Sequence, residues 1–171
     1  MNDFVKALLA TGKAAYIPEE DNLFGWLVGA WDFIWQDNKS ANGPRQVKGE
    51  WIFSWIIEGQ SMQDVFICPA RGERDTNPQP DAAYGTTIRT YNPQRRIWHV
   101  YYVGSGDMSI LEARREGGDI VLACLNCQGV MMKWQFSEMK TNSFRWQNFM
   151  SFDNGQNWQL EGELLATRRG Q

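Results

Sequence analysis

Residues Gln46 to Cys68 constrain the fold more than any other stretch. QVKGEWIFSWII is followed by EGQS and then by MQDVFIC. Trp51, Phe53, Trp55 and Ile57 fall at every second position, with Glu50, Ile52, Ser54, Ile56 and Glu58 between them. A period of two places the two sets on opposite faces of a strand. Glu58-Gly59-Gln60-Ser61 is turn chemistry, because glycine takes a positive φ without steric cost. Met62 to Cys68 then runs back, so the stretch is expected to form a β-hairpin. A lone hairpin is marginal in water and needs further strands to bury an aromatic face.

The remaining chain supplies them. Asp3 to Thr11 has the apolar spacing of a short helix, capped by Asn2 or Asp3 and ended by Gly12, and is expected to cover one end of the sheet. Lys13 to Asp21 is a connector. Trp31, Phe33 and Trp35 alternate, so the first long strand begins near Ala30. Pro69 to Ala82 is polar and carries prolines, and reads as a mobile loop, either an ordinary exposed insertion or a lid over the barrel mouth. Tyr84 to Tyr91 and Ile97 to Val103 form a hairpin around NPQRR, since Asn92-Pro93 initiates a turn. Further strands follow over Met108 to Arg115, Ile120 to Leu125, Val130 to Glu138, Phe144 to Phe152 and Trp158 to Ala166. About ten strands joined by short turns must be antiparallel neighbours. A meander of that length closes on itself because closure removes exposed edges. An all-β, antiparallel barrel over about 26–168 follows, wide enough for a ligand-sized interior.

A chain of 171 residues is read as one domain. The formal net charge is −3 and there is no long basic block, which argues against a nucleic-acid partner. No apolar stretch approaches a membrane span, and the N-terminus lacks a signal peptide's basic start. Three cysteines, an odd number, do not suggest a secreted disulfide framework, so a cytoplasmic location is expected.

Gly29-Ala30-Trp31 is similar to the G-x-W feature of lipocalins and other calycin barrels, in which the Trp closes the barrel floor. A wider likeness covers most of the chain. GEWIFSWIIEGQSMQDVFICP, TTIRTYNPQRRIWHVYY and SFDNGQNWQLEGELLATRR resemble bacterial lipocalin-like proteins of the calycin group. Those share a W-x-F…G…Q-D-V strand pair, an R-x-Y-[DN]-P…W hairpin and a final S-x-D-x-G-x-x-W hairpin. The resemblance implies a calycin barrel. The group has no agreed activity, so function must be argued from the site.

Several residues carry chemistry. Ser151 to Trp158 matches the Asp-box pattern of sialidase propellers and reads as a structural hairpin clip. Cys124-Leu125-Asn126-Cys127 has C-x-x-C spacing but too few partners for a zinc site, and reads as two small buried residues. His99 is the only histidine. If the strands pair symmetrically about NPQRR, it shares a face with Arg89, Tyr91 and Tyr101. Asp64 alternates with Met62, Phe66 and Cys68, and a carboxylate on an apolar face must be exposed, paired or functional. Arg89 is its candidate partner, two strands along.

Aromatic walls with a few polar groups describe a small-molecule pocket. The expected function is binding of a small apolar or aromatic molecule inside the barrel. Trp51, Phe53, Trp134 and Trp146 would be the walls, and Asp64, Arg89, Tyr91, His99 and Tyr101 the polar anchors. No metal or cofactor is expected, nor a membrane, and the reading leaves room for a homodimer. The alternative is an enzyme of isomerase, cyclase or decarboxylase type, with Asp64 or His99 as base and Tyr91 or Arg89 as electrophilic partner.

Overall fold

The computed structural model describes residues 2–37, 43–104, 106–127 and 129–170. A short helix α1 (Asp3–Leu8) leads into a two-residue strand β1 (Leu9–Ala10). Ten longer strands follow: β2 (Gly29–Asp37), β3 (Arg45–Ile56), β4 (Ser61–Cys68), β5 (Ala83–Asn92), β6 (Ile97–Gly104), β7 (Asp107–Glu116), β8 (Asp119–Cys124), β9 (Met131–Lys140), β10 (Ser143–Ser151) and β11 (Gln159–Arg168). Each pairs antiparallel with the next, and β11 pairs with β2. The result is the closed ten-stranded meander expected from the short turns. Trp51, Phe53 and Trp55 point inward, as the alternation predicts, and all three are buried.

Helix α1 differs from expectation. Asn2 caps it, its Oδ1 accepting from the Phe4 amide at 2.7 Å. It stops at Leu8, because Leu9 and Ala10 pair with Ile56 and Trp55 where β2 has not yet begun. None of its residues is buried and Phe4 is 70 % exposed, so it does not cover the barrel end.

Residues 13–28 do that instead. Two short 3-10 turns (Glu19–Asp21 and Gly25–Leu27) fold the segment inward. Ile17, Leu23, Phe24 and Leu27 are buried in the barrel core. Each such side chain contributes on the order of 1.5–3 kcal/mol by leaving water. Phe24 meets Trp98 edge-on at 5.4 Å, and the Trp98 indole donates to the Asp21 carbonyl at 2.7 Å.

Trp31 anchors this floor. Its indole N–H donates to the Leu27 carbonyl at 2.7 Å, and the Arg168 guanidinium lies 4.1 Å from its ring centre. Arg168 also donates to the carbonyls of Trp26 (2.6 Å), Val28 (2.8 Å) and Thr141 (3.1 Å). Gly29 has φ 119°, and a side chain there would start 3.2 Å from Arg168 Nη1. The glycine of Gly29-Ala30-Trp31 is thus required by backbone angle and crowding together.

The Asp-box stretch is a clip. Asp153 accepts from the Asn157 amide at 2.8 Å, and Ser151 Oγ accepts from the Gly155 amide at 2.8 Å. The Asn157 amide, first among its donors, holds the Asp153 carboxyl at about 2. The C-x-x-C pair differs from expectation: Cys124 and Cys127 form a disulfide at the end of β8, and only Cys68 is a buried free thiol. Among the described residues, no helix is long and apolar enough to cross a membrane.

Candidate ligand site in the barrel lumen

The lumen is layered. Above the plugged floor lies one charged pair. Asp64 on β4 and Arg89 on β5 are diagonal neighbours, since Met62 pairs with Arg89 and Asp64 with Thr87. They therefore stand on adjacent strands, not two strands apart. Arg89 Nη1 is 2.6 Å from Asp64 Oδ2, and both side chains are essentially without solvent. The contact is close but poorly directed, an ion pair more than an aligned hydrogen bond. The guanidinium lies 5.0 Å from the Phe24 ring centre and 5.5 Å from that of Phe53. Burial pushes the Asp64 carboxyl up. The Arg89 charge, the Trp51 indole N–H and the Thr87 amide pull the other way. The Thr87 amide donates to Asp64 Oδ1 at 3.2 Å.

Above this pair the lumen opens into a cavity of about 230 Å³. Trp35, Trp51, Phe66, Trp134 and Trp146 form its aromatic walls. Thr87, Tyr102, Ser109, Asp107 and Asn148 supply polar groups, with Met132 completing the lining. Trp134 lies 5.7 Å from Trp146 and 5.6 Å from Tyr102, and Trp51 lies 6.0 Å from Trp146. Oδ1 of Asn148 is buried without a hydrogen-bond partner.

Glycines in the neighbouring strands make room for the large rings. A Cβ at Gly162 would start 2.4 Å from the Trp35 ring, one at Gly49 2.0 Å from Phe33, and one at Gly85 2.6 Å from Tyr102. The aromatics lie against bare backbone, which keeps them on the wall of the lumen.

A second cavity of about 250 Å³ shares Trp35 and Phe66 and runs under the loop after β4, reaching Cys68, Gln79 and Asp81. Burial pushes the Cys68 thiol up to about 11. The loop over Pro69–Ala82, expected to be mobile, is tied to β3. Arg45 donates to Gln79 Oε1 at 2.7 Å and pairs with Asp81 and Asp37. Arg71 pairs with the buried Glu50 at 2.8 Å. Glu50 is held at about 2, first by Arg71 and further by Arg169.

The nine expected contact residues divide by position. Trp51, Trp134 and Trp146 line the 230 Å³ cavity. Phe53, Asp64 and Arg89 form the layer beneath it, buried in the lumen. Tyr91 is deeper still, its hydroxyl donating to Asp21 of the floor segment. His99 and Tyr101 stand on the outer face. Asn92 pairs with Ile97, so the β5–β6 turn has an even number of residues, and Trp98, Val100 and Tyr102 take the inward positions. His99 instead meets the Asn92 side chain at 3.2 Å, and Tyr101 is 40 % exposed. Trp35, Phe66, Thr87, Tyr102, Ser109 and Asn148 line the cavity without having been singled out. The usable signal was glycine inside strand patterns, which marks a close approach by another group.

No protein-family model matches the sequence, and no curated protein matches it. Solved structures do. The S-type phycobiliprotein lyase CPES from Guillardia theta superposes with a TM-score of 0.60 at 10 % identity, over 91 % of this chain and 96 % of that one. Rv2717c from M. tuberculosis superposes with a TM-score of 0.59 at 11 % identity, over 92 % of this chain and 99 % of that one. At this level of identity the likeness is one of fold, and the fold is a lipocalin-like barrel.

Proposed function

We propose that the chain is a single binding domain that holds a small, largely apolar or aromatic molecule in the open half of its lumen. The observation that carries this reading is the 230 Å³ cavity walled by four indoles and edged by hydroxyl and amide groups. An apolar cavity of about 150 Å³ takes up benzene, so this one suits a substituted or bicyclic ring. Aromatic walls with few oriented polar groups are the usual make-up of such sites. The likeness to a protein named as a phycobiliprotein lyase is consistent with a barrel used for handling another molecule.

The acid–base alternative has less to recommend it. Asp64, Arg89, Tyr91 and His99, the groups it requires, are not among the residues lining the cavity.

Tryptophan fluorescence of the purified chain, titrated with a panel of one- and two-ring aromatics, tests the reading. Saturable quenching at one molecule per chain is expected, with a weaker effect in Trp134→Phe. Linear, unsaturable quenching by every member would refute it.

A further inference from the structure

We propose that the molecule held in this cavity carries a positive charge, as a substituted ammonium group on a small apolar or aromatic body. This rests on the lumen-binding reading above. Three observations converge on it.

The first is the ring arrangement. Tyr102 and Trp134 are inclined at 85°, and Trp51 and Trp146 at 86°. Indole and phenol rings carry an electron-rich face, and walls built of rings inclined to one another in this way suit cations, most of all alkylated ammonium groups.

The second is the charge balance. Asp107 is the one charged side chain among the cavity's lining residues, and none of them is basic. Its Oδ1 accepts from the adjacent Met108 amide at 2.8 Å, and no cation pairs with it among the described residues. Arg89, the only cation in the layer below, is neutralised by Asp64 and has essentially no solvent contact. An anionic ligand would leave water with no opposite charge to meet it, which is costly.

The third is the orphaned acceptor. Asn148 Oδ1 is buried in the wall without a donor. An ammonium N–H, or the polarised methyl groups of a quaternary one, would complement an acceptor there.

The test uses two molecules of nearly the same shape. Phenyltrimethylammonium and tert-butylbenzene differ in having a positive nitrogen or a neutral carbon at the branch point. Binding of each to the full chain is measured by tryptophan fluorescence and calorimetry, in the wild type and in Asp107→Asn. The cation is expected to bind on the order of tenfold more tightly than its neutral counterpart. Asp107→Asn should shrink that preference several-fold, because it removes the one charge among the lining residues. Asp107 is exposed, so the substitution should not disturb folding. Equal or tighter binding of tert-butylbenzene overturns the charge assignment and leaves the lumen reading standing. An unchanged preference in Asp107→Asn also overturns it. Binding of neither molecule overturns both.

Discussion

Arg89 on β5 reaches Asp64 on β4 at 2.6 Å in the middle of the lumen, where each residue is 1 % exposed. The pair divides the barrel into a packed lower half and a hollow upper half. Two charges taken out of water offset one another only while both are present.

Breaking the pair should therefore cost more than removing it. Asp64→Leu or Arg89→Met strands a buried charge, and a loss of about 3–5 kcal/mol in urea unfolding is expected. Asp64→Leu combined with Arg89→Met should recover most of that loss. A double variant as unstable as the sum of the single ones would contradict the ion-pair account.

Gly162 sets the position of Trp35. A methyl group at Gly162 would start 2.4 Å from a rigid indole ring. Gly162→Ala should cost about 1–3 kcal/mol through overpacking. It should also weaken ligand quenching, because Trp35 lines the cavity and would be displaced. Normal stability and normal binding together would mean that the ring does not lie against Gly162.

Arg168 holds the floor by a fork that no other side chain reproduces. It covers Trp31 and donates to the carbonyls of Trp26, Val28 and Thr141. Arg168→Lys keeps the charge and loses the fork. A decrease of about 1.5–3 kcal/mol in unfolding free energy is expected, the scale of hydrogen bonds to charged groups. A lysine variant as stable as the wild type would show the fork to be dispensable.

Acid should loosen the tie between β3 and the loop after β4. Glu50 is held at about 2, against an ordinary 4.5, chiefly by Arg71. A carboxyl with a depressed folded value stabilises the fold fully above its unfolded value, and that gain is lost as pH falls through the folded one. Urea stability should thus decline between about pH 4.5 and about pH 2. Asp153, also held at about 2, titrates in the same window. Glu50→Gln should reduce the slope without abolishing it, and an unchanged slope would rule Glu50 out as a contributor.

Much of the fold was legible because strand periodicity is local. The alternation of Trp51, Phe53 and Trp55 identifies the inner face of β3 without reference to any neighbour. The β5–β6 register was not legible, because it depends on whether Asn92 pairs with Ile97 or opens a five-residue loop. One residue of difference exchanges His99 and Tyr101 for Trp98 and Tyr102. The floor was missed for another reason. Leu23, Phe24 and Leu27 have no strand period, and only the closed barrel supplies the space they fill. The Asp64–Arg89 pair was legible from chemistry alone, since a carboxylate on an apolar strand face needs a partner.

The central claim is that the upper lumen is hollow and takes up a ligand, and filling it is the most direct test. Ser109 lines the cavity, and Ser109→Phe would occupy part of its volume. Affinity for the tightest-binding aromatic of the panel should be measured by calorimetry in wild type and variant, alongside thermal unfolding. A loss of at least about tenfold in affinity with a native-like unfolding transition is the expected result. Unchanged affinity in a folded Ser109→Phe chain would place the bound molecule elsewhere and contradict the account.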